Sequence, residues 1–392
     1  MSKRNNKKVN IKTYVLSLIV NTLTDFLPLG IKGKYKDKDI YKIVINASSR
    51  RTSINQVCKD LKQCPKGRTV RYHLKKLKIG VLESKINKIL QKYVVEIIPK
   101  KVLKFAIDLT YIPYYGKEFK KEDEIIHSQS KDGTTTFHAY ATIYLILFNK
   151  RFTLAMMYVR KSTSLTTIID TLVNEVKSLG LDIRCLFLDR GFYSITIINH
   201  LQKKQIPFMM PVVKRGKSGG IRKILVGKRS YKTHYTMTCI NTKNSVAFPV
   251  CVIRKYSKGK YGKHGVKYFG YVVYGIHIPI DRVFEEYRKR FGVESSYRIM
   301  NIARARTSSR NPKLRLLYIV VSLILMNLWI YSKWKFFSEK RRGGRKVDND
   351  KMTLQTMLNS INEAINEIYG IIDIFIEVEI PKGKNRFLKI GG

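Results

Sequence analysis

The chain has 392 residues, 44% of them hydrophobic, and 76 Lys plus Arg against 28 Asp plus Glu, a formal net charge of +48. That hydrophobic share is ample for a core in two or three domains and excludes a disordered chain. The charge is far beyond what solubility needs and implies a polyanionic partner, nucleic acid first and an anionic membrane surface second.

Residues 1 to about 100 read as helical and strongly basic. The apolar patch Tyr14 to Val20 is interrupted by Asn21, Thr22, Thr24 and Asp25, with no small-residue cleavage site after it, which argues against a secretory signal. Ile54, Val57, Cys58 and Leu61 recur at helical spacing behind Thr52 and Ser53 as caps, and Cys64-Pro65-Lys66-Gly67 breaks the helix. A second helix over 68–78 turns Val70, Leu74 and Leu77 inward and Arg68, Thr69, Arg71, Tyr72, Lys75 and Lys76 outward. The pair reads as a helix-turn-helix with 68–78 as recognition helix and Arg68, Arg71, Tyr72 and Lys75 as DNA contacts. A helical hairpin with a solvated basic face fits the same pattern.

From Val102 the texture becomes strand-like. Leu103 to Ile107 is a short apolar run leading to Asp108, Thr110 to Gly116 reads as a tyrosine-rich turn, and Lys117 to Lys131 as a charged loop. Thr136 to Phe148 and Phe152 to Val159 form a hairpin about Asn149-Lys150-Arg151. Leu165, Ile168, Ile169, Leu172, Val173 and Val176 mark a helix, Ile183 to Leu188 a buried strand ending at Asp189, Ser194 to Lys203 a helix and Pro207 to Val213 a strand. Three strands, helix, strand, helix, strand is a mixed α/β sheet, in the ribonuclease-H-like order. Residues 214 to about 280 read as a β-rich insertion, with runs at Tyr231 to Ile240, Ala247 to Ile253 and Lys267 to Ile276. Their Lys and Tyr suit either a nucleic-acid backbone or a solvated edge.

Carboxylates at the carboxyl ends of buried strands lie where ligands bind in open sheets, which singles out Asp108 and Asp189. The third acid is Glu294. Read at helical spacing from Val283 onward, Tyr287, Arg290, Glu294, Arg298 and Asn301 share a stripe, while Val283, Phe284, Phe291 and Ile302 form the packing stripe and leave the Glu294 face for another task. Asp182 competes as second acid and Glu285 or Glu286 as third; His127, His138 and His200 read as structural. Three carboxylates suffice to hold two hard divalent cations for displacement at phosphorus. The five cysteines, at 58, 64, 185, 239 and 251, show neither a zinc pattern nor a disulfide framework and fit a reducing cytosol.

Beyond Arg304, Arg306 and Arg310, Leu316 to Tyr331 is the most apolar run; with Ser322 and Asn327 inside, and shorter than the ~20 residues of a span, it reads as a buried core helix rather than a membrane segment. Residues 339–346 read as a hinge. Leu354, Met357, Leu358, Ile361, Ile365 and Ile368 mark a last helix that caps the domain or pairs with another subunit.

Tyr287, Arg290 and Glu294 stand at the spacing of Tyr-x2-Arg-x3-Glu-x6-Lys, Leu188-Asp189-Arg190-Gly191-Phe192-Tyr193 carries the second acid and Ile107-Asp108-Leu109-Thr110 the first. In these residues, over about 100–330, the chain resembles the DDE-type insertion-sequence transposases. The resemblance implies a ribonuclease-H-like catalytic domain at 101–335 with its β insertion at about 214–280; the helical residues 1–100 before it read as the DNA-binding domain, and 336–392 as a hinge and C-terminal helical segment suited to oligomerisation. It implies that Asp108, Asp189 and Glu294 bind two Mg²⁺ or Mn²⁺ ions and catalyse cleavage at element ends and strand transfer. It assigns Tyr287 and Arg290 to DNA near the cut. Asn301 replaces the final Lys, so that contact passes to Arg298 or Arg304. Double-stranded DNA as partner, a homo-oligomer in the form of a dimer on DNA, and a cytoplasmic, nucleoid-associated site are what the same likeness implies. A nuclease that cuts without joining, and a DNA-binding protein with vestigial acids, remain as alternatives.

Overall fold

In a computed structural model, described for residues 10–98, 102–117, 123–147, 150–258, 264–291, 300–342, 344–348 and 350–372, a helical layer precedes a large mixed sheet. The first helices are α1 (Ile11–Phe26), α2 (Asp37–Ser49), α3 (Ile54–Asp60), α4 (Gly67–Lys75) and α5 (Ile79–Val94). Ser53 caps α3 by accepting the Gln56 N–H. Gly67 opens α4 where a Cβ would fall 2.5 Å from Asn55 Oδ1, so the absence of a side chain lets α4 start hard against α3.

The sheet contains β1 (Val102–Pro113), β2 (Ile126–Lys131), β3 (Thr134–Leu147), β4 (Lys150–Val159), β5 (Asp182–Phe187), β6 (Phe208–Pro211), β7 (Tyr231–Thr238), β8 (Ser245–Lys258) and β9 (His264–Tyr274). Its order is β2-β3-β1-β5-β6-β9-β8-β7, with β4 also paired to β3. β3 runs antiparallel to β1 and to β4, whereas β5 runs parallel to β1 and β6 parallel to β5. Helices α6 (Leu165–Ser178) and α7 (Ile195–Lys203) make the crossovers that parallel neighbours require.

Three sequence readings are corrected. Thr110 to Gly116 is not a turn from its start: β1 continues to Pro113, because β3 offers it partners as far as Phe137. The charged loop ends in β2, which pairs along the start of β3. Residues 214–280 hold the expected β-rich run between β6 and α8, but it does not stand beside the sheet: β9 pairs antiparallel with the buried β6 and carries β8 and β7 on as the far half of the same sheet.

After α8 (Val283–Arg288) comes α9 (Pro312–Phe336), capped by Asn311, which accepts the Lys313 N–H. Its apolar stretch is 89% buried, packed against α5, β4, α1 and α2. The reading of a core helix therefore matches the structure. Residues 339–346, expected as a hinge, belong instead to a hairpin of β10 (Ser338–Arg341) and β11 (Gly344–Val347). The last helix, α10 (Leu354–Tyr369), turns back onto α1 and α2, where Tyr369 donates to Asp39 at 2.8 Å and Glu363 pairs with Lys12. Buried residues from α1 to α10 form one continuous core. A second, smaller core on the opposite face of the sheet joins Ala106, Phe187, Met209 and Tyr271 to Val283 and Tyr287 of α8.

Candidate active site

Strand β5 stops pairing at Phe187, opposite Ala106, while β1 runs on against β3 alone. The sheet therefore opens on one side of β1 just where Asp108 follows Ala106 and Asp189 follows Leu188. Asp108 shares its face of β1 with Lys104 and Ala106, by the two-residue alternation of a strand. It sits in mid-strand, not at a strand end as the sequence reading had it, and it is 7% exposed. Asp189 caps the short turn Arg190–Phe192, its Oδ1 accepting the Gly191 N–H at 2.8 Å. A Cβ on Gly191 would lie only 3.0 Å from that oxygen, so the glycine of Asp-Arg-Gly is what lets the carboxylate sit there.

Helix α8 crosses this face and is fixed at three points. Glu286 pairs with Lys104, the Tyr287 hydroxyl donates to the Leu188 carbonyl at 2.9 Å, and Arg290 Nη2 lies 3.3 Å from Asp108 Oδ1 and 3.7 Å from Asp189 Oδ2. One nitrogen reaches both carboxylates, so two acids far apart in sequence are neighbours in the fold. The helix itself ends at Arg288 and passes into a tight turn, Lys289–Phe291, instead of running on without a break through the signature. The Tyr287 and Arg290 face is not left open either: both are buried, at 3% and 5% exposed, because they close the end of the sheet. Glu294 and Arg298 lie outside the described residues.

The competing acids are engaged elsewhere. Asp182 starts β5 opposite Val102, at the other end of the strand from Asp189. Glu285 pairs with Lys255 and Arg288. Burial raises the Glu286 pKa, but hydrogen bonds from Lys104 and Lys289 outweigh it and hold that carboxyl below the usual range. His138 is buried against Tyr158 and Tyr114, and burial, aided by Arg315, pushes its pKa down to about 4. His200 contacts Asp170 at 2.8 Å.

Asp108, Asp189 and Arg290 lie in a cleft of about 1720 Å³ whose walls include Arg51, Asn301 and Arg304 on one side and Lys214, Lys267 and Tyr268 on the other. Burial disfavours the charge on Arg304, and the cations Arg315 and Arg51 add to the effect. Tyr111 also lines the cleft; burial raises its hydroxyl pKa, and the charges of Asp189 and Asp108 raise it further. Tyr111 and Arg51 were missed in the sequence, Tyr111 because the strand around it was read as a turn. Arg68, Tyr72 and Lys75 stand exposed on α4, whereas Arg71 is tied to Asn55.

Aspartate pairs are hard oxygen donors, the chemistry that Mg²⁺ and Mn²⁺ take alongside phosphate and water. Among the described residues no group of three or more His, Cys, Asp or Glu side chains is placed to hold a metal. The pair that is described fits part of such a site.

No family model matches the chain, and no curated protein matches it. Among solved structures it is similar to a chain in the cryo-EM structure of the piggyBac transposase synaptic complex with hairpin DNA. The identity is 11%, the TM-score 0.51, and the match covers 94% of this chain and 82% of that one. In fold, this chain is similar to a DNA transposase. The likeness to piggyBac transposase takes in the helical layer as well as the sheet, since it spans nearly the whole chain.

Proposed function

We propose that this protein is a DNA transposase that cuts phosphodiester bonds at the ends of its element and joins the 3′-hydroxyl to target DNA. The observation that carries this reading is the convergence of Asp108 and Asp189 on one guanidinium inside a large cleft with basic walls. The strand path β4-β3-β1-β5-β6, three antiparallel strands followed by two parallel ones, supports a ribonuclease-H-like domain. The matched piggyBac structure is a synaptic complex with DNA, which supports duplex DNA as the ligand and assembly of more than one copy, a dimer in the simplest case.

In this reading Asp108 and Asp189, with Glu294 as the third carboxylate, hold two Mg²⁺ or Mn²⁺ ions. When bound, such ions supply Lewis-acid stabilisation of the charge that develops on phosphate oxygens during in-line displacement. The protein's own part is positional. The β1–β3 pairing and the Gly191 turn fix the two aspartates, while Arg304, Arg51, Lys214 and Lys267 neutralise the backbone of a duplex lying in the cleft. Asn301 lines the same cleft, and the family likeness assigns Arg298 to DNA as well.

The test is incubation of the purified protein with a plasmid carrying the sequences that flank its gene. Magnesium-dependent nicks leaving 3′-hydroxyls, and joining of pre-cleaved ends to a second plasmid, are expected. Nicks without joining would leave a nuclease, and neither product would end the proposal.

Helix α4 makes a separate prediction. Arg68→Ala and Lys75→Ala should each weaken binding to any DNA sequence and flatten the plot of log affinity against log salt by about 0.9. Arg71→Ala should act differently, through loss of its bond to Asn55 and hence of the α3–α4 junction. Titrations at four salt concentrations distinguish the two behaviours.

A further inference from the structure

We infer that Arg290 is a built-in counter-cation for the aspartate pair, holding the site assembled without metal and opposing metal entry until DNA draws the guanidinium away. The inference rests on the reading of Asp108 and Asp189 as metal ligands and adds a control on when they load.

Its basis is geometric. Arg290 Nη2 sits 3.3 Å from Asp108 Oδ1 and 3.7 Å from Asp189 Oδ2, and its side chain is only 6% exposed. Two carboxylates within reach of one nitrogen repel, and a cation between them relieves that repulsion, most of all at Asp108, whose side chain is 10% exposed against 36% for Asp189. Asp108 Oδ1 also takes the Leu109 N–H and Asp189 Oδ1 that of Gly191, both neutral donors.

The anchor is stiff. Lys104 holds Glu286 and the Leu188 carbonyl holds Tyr287, so α8 delivers Arg290 to the same point each time. A divalent ion approaching the pair therefore meets a resident positive charge, and Arg290 and the ion compete for the same oxygens.

Arg290 also lines the cleft. A phosphate lying there offers the guanidinium a bidentate partner, which suits its planar fork. Moving Arg290 from carboxylate to phosphate uncovers the aspartates, so metal and DNA bind with positive coupling. Premature loading by free Mg²⁺ is disfavoured by the same residue that senses the substrate.

The experiment measures Mn²⁺ binding by calorimetry and by electron paramagnetic resonance on the full chain, with no DNA present. Arg290→Gln and Arg290→Met are expected to bind Mn²⁺ about tenfold more tightly than the wild type, and Arg290→Lys, which restores the charge, to return toward it. Thermal melts with EDTA and with Mg²⁺ are run beside it: the Gln and Met variants should lose stability in EDTA and regain more of it on adding Mg²⁺ than the wild type gains. Adding duplex DNA should tighten Mn²⁺ binding in the wild type and not in the Gln variant. Equal Mn²⁺ affinity in wild type and both neutral variants overturns the counter-cation while leaving the metal site standing. No Mn²⁺ binding in any of them, with or without DNA, removes the metal site and the inference with it. If Gln and Met do not fold, the wild type alone decides, since Mn²⁺ affinity unaffected by DNA is incompatible with the exchange.

Discussion

Replacing Asp108 by Asn should reduce strand cleavage by roughly 10³-fold or more while leaving affinity for DNA close to that of the wild type. Asn has nearly the same shape, and the backbone at 108 is fixed from outside by the β3 register, Asp108 opposite Thr142. What the change removes is the negative charge. That charge is the property a divalent cation needs from the position, and the neighbouring Asp189 cannot supply it twice. DNA affinity draws on other groups, the basic walls of the cleft and the exposed cations of α4, so a gel-shift series should move little. The fold should also survive, because Arg290 keeps Asp189 as an ion partner and no buried cation is stranded. Glu294→Ala is expected to match Asp108→Asn in both assays. Full cleavage by both proteins, with normal melting curves, would mean that these acids are not the catalytic ones.

That Asp108 and Asp189 meet was legible because each follows a short apolar run. Asp189 follows a run of buried residues and precedes a turn whose glycine makes room for it, and Tyr287 and Arg290 stand at helical spacing from Glu294. The core helix was legible too, from a run of sixteen residues apolar but for two small polar interruptions.

The failures have one cause in common. Whether β1 stops at Asp108 or continues to Pro113 depends on how far β3 extends beside it, and Thr110, Tyr111 and Ile112 are as suited to a strand as to the turn inferred from Pro113 and Gly116. Likewise, nothing within 214–280 says that β9 will find β6, because an edge is completed by a partner distant in sequence. The hinge at 339–346 was misread for its charge and glycines, which suit a hairpin turn equally well. The burial of Arg290 was hidden because a stripe of Tyr and Arg looks solvent-facing until two carboxylates from other elements are placed opposite it.

Asn327→Leu should destabilise the protein by about 3–5 kcal/mol, far more than the conservative volume change suggests. Strand β4 is the outer neighbour of β3 over much of its length, and its ladder slips where Ile143 pairs with Ala155 but Tyr144 with Thr153. That bulge leaves Thr153 turned toward the helical layer. Asn327, in the middle of α9, takes the Thr153 N–H at 3.0 Å and donates to the Thr153 carbonyl at 2.8 Å and to the Leu90 carbonyl of α5 at 3.2 Å. One side-chain amide thus does for Thr153 what a further strand would do, and ties β4, α5 and α9 together. Asn87 of α5, about one turn before Leu90, does half as much, accepting the Met156 N–H at 2.9 Å. Leucine fills the space but leaves the Thr153 N–H and carbonyl without partners in a place water does not reach, since Thr153 is 1% exposed, while the Leu90 carbonyl keeps its bond within α5. Ser322→Ala is the comparison: that hydroxyl bonds only the Ile319 carbonyl within its own helix, a carbonyl already served by the helix, so its loss should cost under about 1 kcal/mol. Urea denaturation of the two variants side by side checks the difference. Equal midpoints would mean that the polar residues of α9 are incidental, whereas a large gap would show that Asn327, within the apolar stretch of α9, is what closes the sheet's edge.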